Sequence, residues 1–319
     1  MSSPWNLLAL PPLPLEAMRG LVGPLSDRLN VTVPATRDRE GLLAALADAE
    51  IVLGDWTSTL AMDAEAVKSA PRLAFVQQPS VGVDGHDLDV LAAAGVPLAN
   101  TAGVSAVAVA EWCVGAALAL SRKLVAADAA VRAGGWPQLD LGPSELSGSR
   151  VGIVGWGPIG QACARMFSAF GCEVSFWTRT ARQVPSYVDL ASLVATSDVL
   201  VVVIALSDET RSLIDPRAMK PGALLVNAAR GGVIDQTALV SAMDHLGGAA
   251  LDVFETEPLP AGDPLREHGN VLLSPHVAGV TPQSTGRLVA AVVANLAAAV
   301  EGRAVENVVN GVDAIVRRR

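Results

Sequence analysis

One stretch limits the fold of this chain more than any other. The apolar run Arg150–Val154 leads directly into Gly155-Trp156-Gly157-Pro158-Ile159-Gly160, and the residues from there to Phe170 carry helical spacing. A strand that passes into a helix through such glycines points the first amides of that helix, and its dipole, at whatever anion sits there. The first glycine permits the tight turn, the second lets the backbone approach a pyrophosphate, and the third lets helix and strand pack closely. The hexapeptide alone is a weak signal, but framed by a buried strand and a helix it favours a dinucleotide over a structural turn. Gly155, Trp156, Gly157, Pro158, Ile159 and Gly160 are therefore the first candidate cofactor contacts.

The same strand–helix rhythm runs through the chain. Short apolar runs alternate with alanine-rich stretches of helical length, the pattern of parallel α/β sheets. Strands are expected at 6–10, 51–53, 73–77, 97–99, 150–154, 173–177, 199–204, 224–227, 248–253 and 271–274. Long helices are expected over 105–123 and 282–300. With 319 residues, two domains are the natural division. The expected architecture is α/β, two Rossmann-like doubly wound domains with an interdomain cleft. Residues 101–281 form the dinucleotide-binding domain, and residues 1–100 with 282–319 the substrate-binding domain.

Composition narrows the partners. A net charge of −9 argues against nucleic acid, because a phosphate backbone needs neutralising cations. The triplet Arg317-Arg318-Arg319 reads as a solvated terminus. The longest apolar run, 104–120, is interrupted by Ser105 and Glu111, which argues for a buried helix and against a membrane span. Residues 1–4 lack the features of a signal peptide, so a cytoplasmic protein is expected. Cys113, Cys163 and Cys172 show neither C-x-x-C nor zinc spacing and read as small buried hydrophobes, so no metal is expected.

The strand after the glycine loop should end in an acidic residue that binds the ribose 2′-hydroxyl of NAD. Here Thr178 stands there, followed by Arg179, and no carboxylate occurs between Glu173 and Asp189. A threonine and an arginine can hold a 2′-phosphate that a carboxylate would repel, so NADP is expected over NAD. The alternative is that Arg179 is an ordinary solvent-facing charge.

Hydride transfer to a keto acid asks three things of a protein: a cation for the carboxylate, an acid for the forming alkoxide, and a group that stabilises that acid in its charged form. Of the four histidines, His86, His245 and His268 lie in turns or polar segments and read as surface residues. His276 follows the strand at 271–274, at the C-terminal end where α/β sites form. Arg230 follows the strand at 224–227 in the same way, and Glu257 the strand at 248–253. Trp56 either walls a substrate pocket or is a core residue.

These residues sit in motifs that resemble the D-isomer-specific 2-hydroxyacid dehydrogenase family along nearly the whole chain. The motifs are Val109-Ala110-Glu111, Gly155–Gly160, Asn227-Ala228-Ala229-Arg230-Gly231, Ala250–Phe254, Glu257-Pro258-Leu259 and Pro275-His276. The resemblance implies that Arg230 binds the substrate carboxylate and C2 oxygen, that His276 is the acid/base, and that Glu257 pairs with it. It implies cofactor contacts at Ala228 and at Asp252, the latter with the nicotinamide carboxamide. It implies that the amides of Val81 and Gly82 hold the substrate carboxylate. It further implies a homodimer paired through a segment like Ala126–Trp136.

The expected activity is hydride transfer between NAD(P)H and C2 of a small 2-keto or 2-hydroxy acid, of the glyoxylate or hydroxypyruvate reductase type. The rival readings are a phosphoglycerate- or phosphite-dehydrogenase-like enzyme and a dinucleotide-sensing, corepressor-like scaffold. Feedback control of the phosphoglycerate type is not expected, since no regulatory domain follows residue 319.

Overall fold

The computed structural model describes residues 3–57 and 59–319. The chain divides into two compact units: Met1–Val104 with Pro282–Arg319, and Ser105–Thr281. The first passage between units lies four residues beyond the 100/101 boundary read from the sequence, because Asn100 and Thr101 still bond into the first unit. Asn100 N–H donates to Asn307 O, and Thr101 N–H donates to Ser80 O.

In the first unit the elements are β1 (Trp5–Ala9), α1 (Leu15–Leu21), β2 (Leu29–Thr32), α2 (Arg39–Leu46), β3 (Ile51–Leu53), α3 (Ala64–Lys68), β4 (Phe75–Gln77), α4 (Leu88–Ala93) and β5 (Leu98–Ala99). The second unit follows with α5 (Ala106–Ser121), α6 (Leu124–Arg132), β6 (Arg150–Val154), α7 (Pro158–Ala169), β7 (Glu173–Trp177), α8 (Leu190–Thr196), β8 (Val199–Val202), β9 (Leu224–Asn227), α9 (Gln236–Ala242), β10 (Gly248–Leu251) and β11 (Val271–Leu273). The chain then returns to the first unit as α10 (Pro282–Val300).

Every strand pair in both sheets is parallel. The orders are β2-β1-β3-β4-β5 and β7-β6-β8-β9-β10-β11. Counted from its own first strand, each sheet therefore runs 2-1-3-4-5, the second adding a sixth strand. The first sheet is the flavodoxin-like variant of the doubly wound fold; in the second, residues 186–188 add parallel to the outer side of β7 through the Phe176–Tyr187 bridge, which gives the 3-2-1-4-5-6 Rossmann order. In such sheets ligands bind beyond the carboxyl ends of the strands.

Both faces of each sheet are covered, which is why the strands read as near-continuous apolar runs. Val199 and Val201 pack with Cys113, Ala117, Cys163 and Phe167 of α5 and α7. Leu200 and Val202, one residue out of phase, pack with Leu193 and Leu239 of α8 and α9. In the first unit, Leu7 and Phe75 meet Met18 of α1 and Val292 and Leu296 of α10. Leu8 and Val76 meet Leu42, Ala66 and Leu91 of α2, α3 and α4. By length and composition α10 could cross a membrane. Its Val292, Leu296, Ala298 and Ala299 are instead core residues of the first unit.

One sequence expectation fails here. Arg318 is not a solvated terminal charge. Its Nε and Nη2 donate to the two oxygens of Glu50 at 2.7 and 2.9 Å, its guanidinium lies 5.1 Å over the Trp5 ring, and it also caps the Ser3 and Pro4 carbonyls. Arg319 donates to the Ala94 carbonyl. Glu50 is fully buried and also receives Arg72 and the Asn6 amide. Burial alone would raise its carboxyl, but Arg318, the amide and Arg72 outweigh that and hold it below its ordinary value. Breaking a buried pair from one side strands the other charge, so Arg318→Ala is expected to cost about 3 kcal/mol. A urea titration reads this as a lowered midpoint; an unchanged midpoint would mean that Arg72 alone compensates Glu50.

Candidate active site

Strands β9, β10 and β11 are neighbours in the sheet, and the three segments leaving their C-terminal ends carry Arg230, Glu257 and His276. Each segment is shaped by its own sequence. Asn227, the last residue of β9, closes the first turn with its side chain: Oδ1 accepts from Ala229 N at 3.0 Å, and Nδ2 donates to Arg230 O at 3.2 Å. Arg230 leaves in extended backbone, φ −147°, with Nη1 donating to Ala229 O at 2.8 Å. The next residue must be glycine, because a side chain on Gly231 would run into the Phe254–Glu255 backbone. That close approach sets the Arg230 turn against the loop carrying Glu257.

Glu257 is held and in turn holds. Its Oε1 accepts from Phe254 N at 3.0 Å, and its Oε2 takes His276 Nδ1 at 2.8 Å. A proton on Nδ1 that points at a carboxylate leaves Nε2 as the working nitrogen. The His276 side chain is 47% exposed, so Nε2 can meet a ligand.

His276 stands in the left-handed region, φ +54°. Asp252 makes that turn. The His276 N–H donates to the Asp252 carbonyl at 2.8 Å. The Asp252 carboxylate, on a residue 2% exposed, accepts from Ser274 Oγ at 2.5 Å and from Val277 N and Ala278 N at 2.8 Å each. The residue expected at the nicotinamide carboxamide thus has its carboxylate taken up inside the fold, wrapping the His276 loop around it. Neither the sequence pattern nor spacing announced Ser274 in this arrangement.

The glycine loop has the backbone its sequence demands. Gly155 takes φ +109°, which only glycine adopts freely, and its N–H continues the β6–β7 ladder to Trp177 O at 2.8 Å. Gly157 is the N-cap of α7, with Pro158 and Ile159 opening the helix, and nothing lies within 4 Å of where its Cβ would be. At Gly160 a Cβ would strike the Gly155 carbonyl, so helix and loop approach as closely as backbone allows. Trp156 stacks on Phe176 at 3.7 Å between ring centroids, which braces the loop on β7. Open space before Gly157 together with the uncapped first amides of a 12-residue helix fits a dinucleotide pyrophosphate.

At the end of β7, Thr178 is half-buried and Arg179 is exposed. Arg179 Nη1 pairs with Glu209 Oε2 at 3.1 Å, both side chains being more than half exposed. Glu209 went unseen in the sequence because it arrives from the loop after β8. Ala228 is half-buried just beyond β9, its N–H on Val202 O at 3.2 Å.

Val81 and Gly82 belong to the first unit, in the turn after β4. Trp56 is 43% exposed and so is no core residue. His86 is not a surface residue: it is half-buried with both ring nitrogens engaged, Nε2 on Gln78 Oε1 at 2.9 Å and Nδ1 accepting from Met62 N at 3.2 Å. Polar side chains on β4 and its turn, invisible to an apolar-run reading, gather around it.

The family described as D-isomer specific 2-hydroxyacid dehydrogenase, NAD binding domain, matches residues 114–278. The chain is 36% identical over 307 residues to a glyoxylate reductase of Thermofilum pendens, covering 90% of each. It is 35% identical over 300 residues to the D-3-phosphoglycerate dehydrogenase of Mycobacterium tuberculosis, covering 91% of this chain and 56% of that one. Among solved structures, a glyoxylate reductase from Paecilomyes thermophila superposes with a TM-score of 0.86 at 26% identity, over 97% of this chain and 98% of that one.

Proposed function

Because the chain belongs to the D-isomer specific 2-hydroxyacid dehydrogenase family, we propose that it reduces a small 2-keto acid of the glyoxylate or hydroxypyruvate type, with NADPH as the reductant. The observation that carries the site assignment is the Glu257–His276 pair, at the same carboxyl edge of the sheet as the glycine loop and the Arg230 turn. Gly155–Gly160 and Ala228 hold the dinucleotide, and Thr178 and Arg179 its ribose substituent. When bound, a reduced nicotinamide supplies a hydride.

The protein's own groups do the rest. The guanidinium of Arg230 engages the acid's carboxylate and its C2 oxygen, which orients the keto carbon and draws charge toward the oxygen. His276 Nε2–H protonates that oxygen as it becomes an alkoxide. Glu257 stabilises the imidazolium before transfer and keeps the remaining proton on Nδ1 afterwards, with Asp252 fixing the loop. The amides of Val81 and Gly82 take the carboxylate. Absorbance at 340 nm tests the proposal, with glyoxylate, hydroxypyruvate and longer 2-keto acids and either reduced cofactor. Cofactor binding without turnover of any acid would instead favour the sensing scaffold.

The preference for NADPH rests on Thr178 and Arg179. The Arg179–Glu209 pair is exposed and worth at most about 1 kcal/mol, so a 2′-phosphate can displace it. Arg179→Ala is expected to weaken NADPH about tenfold relative to NADH, ~1.4 kcal/mol. Fluorescence titration with both cofactors measures this, and an unchanged ratio would return Arg179 to a plain surface charge.

Pairing into a homodimer accounts for α6. No residue of this helix is buried, and Leu124, Val125 and Val131 are all more than half exposed. Beyond it Trp136 is 79% and Leu139 92% exposed. The helix's Asp128 and Arg132 satisfy each other at 2.7 Å, which leaves an apolar face best matched by the same face of a second copy. Trp136→Asp is expected to give a monomer by light scattering; a persisting dimer would move the interface elsewhere.

A further inference from the structure

We propose that His86 is a positioning residue for the substrate carboxylate: acting through Gln78 and Ser80, it freezes the Val81–Gly82 turn with its N–H groups turned outward. This rests on the assignment of that turn as carboxylate holder made above.

The hydrogen bonds form a chain whose direction is fixed at every link. Met62 N–H donates to His86 Nδ1 at 3.2 Å, so the ring proton is on Nε2. Nε2–H donates to Gln78 Oε1 at 2.9 Å, which sets the orientation of that amide. Gln78 Nε2 then donates to Ser80 Oγ at 2.8 Å and to the Asp55 carbonyl at 3.3 Å. Having accepted from Gln78, the Ser80 hydroxyl donates to Gly82 O at 2.7 Å. Reversing any one link would set two donors or two acceptors against each other. Burial pushes the His86 imidazole down to about 4, against the pull of the Asp55 carboxylate, so the ring stays neutral and its donor and acceptor keep their places. That carboxylate is itself paired with Arg37 at 2.7 Å.

The turn is held from the other side as well. Thr101 N–H takes the Ser80 carbonyl at 3.1 Å, and Asn100 Nδ2 takes the Val81 carbonyl at 2.7 Å. All three carbonyls from Ser80 to Gly82 are thereby tied inward. Among the described residues, no acceptor meets the Val81 or Gly82 N–H. Successive backbone N–H groups held this way make an anion-binding concavity. Even the packing is built around the relay: a Cβ on Gly54 would collide with Gln78 Oε1 and come within 3.2 Å of His86 Nε2.

A turn fixed before binding loses little freedom when the carboxylate arrives. Without the His86 donor, the Gln78 amide can reverse, the Ser80 hydroxyl can rotate, and the Gly82 carbonyl is released. The defect should fall on substrate binding and spare the chemical step.

The test compares His86→Phe, His86→Gln and Ser80→Ala in the full chain, by glyoxylate kinetics and by the dissociation constant of oxamate, a carboxylate that cannot be reduced, with NADPH present. His86→Phe and Ser80→Ala should raise the KM and the oxamate constant together, by roughly tenfold, with kcat within about twofold and NADPH affinity unchanged. His86→Gln, whose Nε2–H stands in for the imidazole donor, should recover most of the loss. If His86→Phe fails to fold, Ser80→Ala, a smaller change in a half-buried turn, carries the same readout. Folded variants with wild-type KM and oxamate binding would overturn the inference alone. So would a parallel fall in kcat, KM quality and NADPH affinity that His86→Gln does not relieve, the mark of a merely structural role. Wild-type protein that neither binds oxamate nor consumes any keto acid would overturn this inference and the functional reading together.

Discussion

Replacing His276 by glutamine is expected to lower kcat by about 10²–10⁴-fold, the usual worth of a general acid, while NADPH binds as before. Glutamine keeps an N–H near the Nε2 position but cannot carry a transferable proton, so substrate still docks and the alkoxide goes unprotonated. The geometry confines the damage. The His276 turn is made by main-chain and Asp252 contacts, not by its ring, so the loop should persist in the variant. Steady-state kinetics with a cofactor titration reads both arms. A variant within a few-fold of wild-type kcat would remove His276 from the chemistry.

Arg230→Ala should cost more broadly, raising KM and lowering kcat together, with kcat/KM down by roughly 10²-fold or more. Two roles are lost at once: recognition of the carboxylate and polarisation of the C2 oxygen. Arg230→Lys should recover little, because a point charge cannot make the two parallel hydrogen bonds of a guanidinium fork. The arginine's reach is set by the Asn227 turn behind it and the glycine after it, which a lysine leaves intact. Rescue by lysine would reduce the assigned role to simple electrostatics.

What the sequence disclosed and what it hid divide along a physical line. The glycine loop was legible because its chemistry is local: Gly155 must take a positive φ, and Gly160 must touch a carbonyl. Strands β3, β6, β7 and β9 carry the residue limits read from the sequence, each being an apolar or half-apolar run bounded by turns. Strand β2 was missed. Its Leu-Asn-Val-Thr alternates buried and exposed, as an edge strand does, and is too short to stand out from a loop. The strand ends that carry Arg230, Glu257 and His276 were legible one at a time, whereas the Gly231 contact that joins two of the segments depends on the order of strands in the sheet.

Long-range polar contacts were the least legible. Glu50 and Arg318 lie 268 residues apart, and nothing near either one signals the other. His86 read as a turn histidine because its burial is supplied by Gln78, Gly54 and Met62 from other segments. Asp252 was legible as a motif residue, but the three donors that converge on it come from the loop after the next strand.

A hydride delivered to C2 of a 2-keto acid can be traced as an atom. The most direct measurement follows the atom itself: NADPH deuterated at C4, on each face in turn, is incubated with glyoxylate and the glycolate is examined by NMR and mass spectrometry. One deuterium is expected at C2 of the product from one of the two labelled cofactors and none from the other, lost in parallel with activity in His276→Gln. Glycolate formed without deuterium from either cofactor, or no product from any 2-keto acid despite bound NADPH, would contradict it.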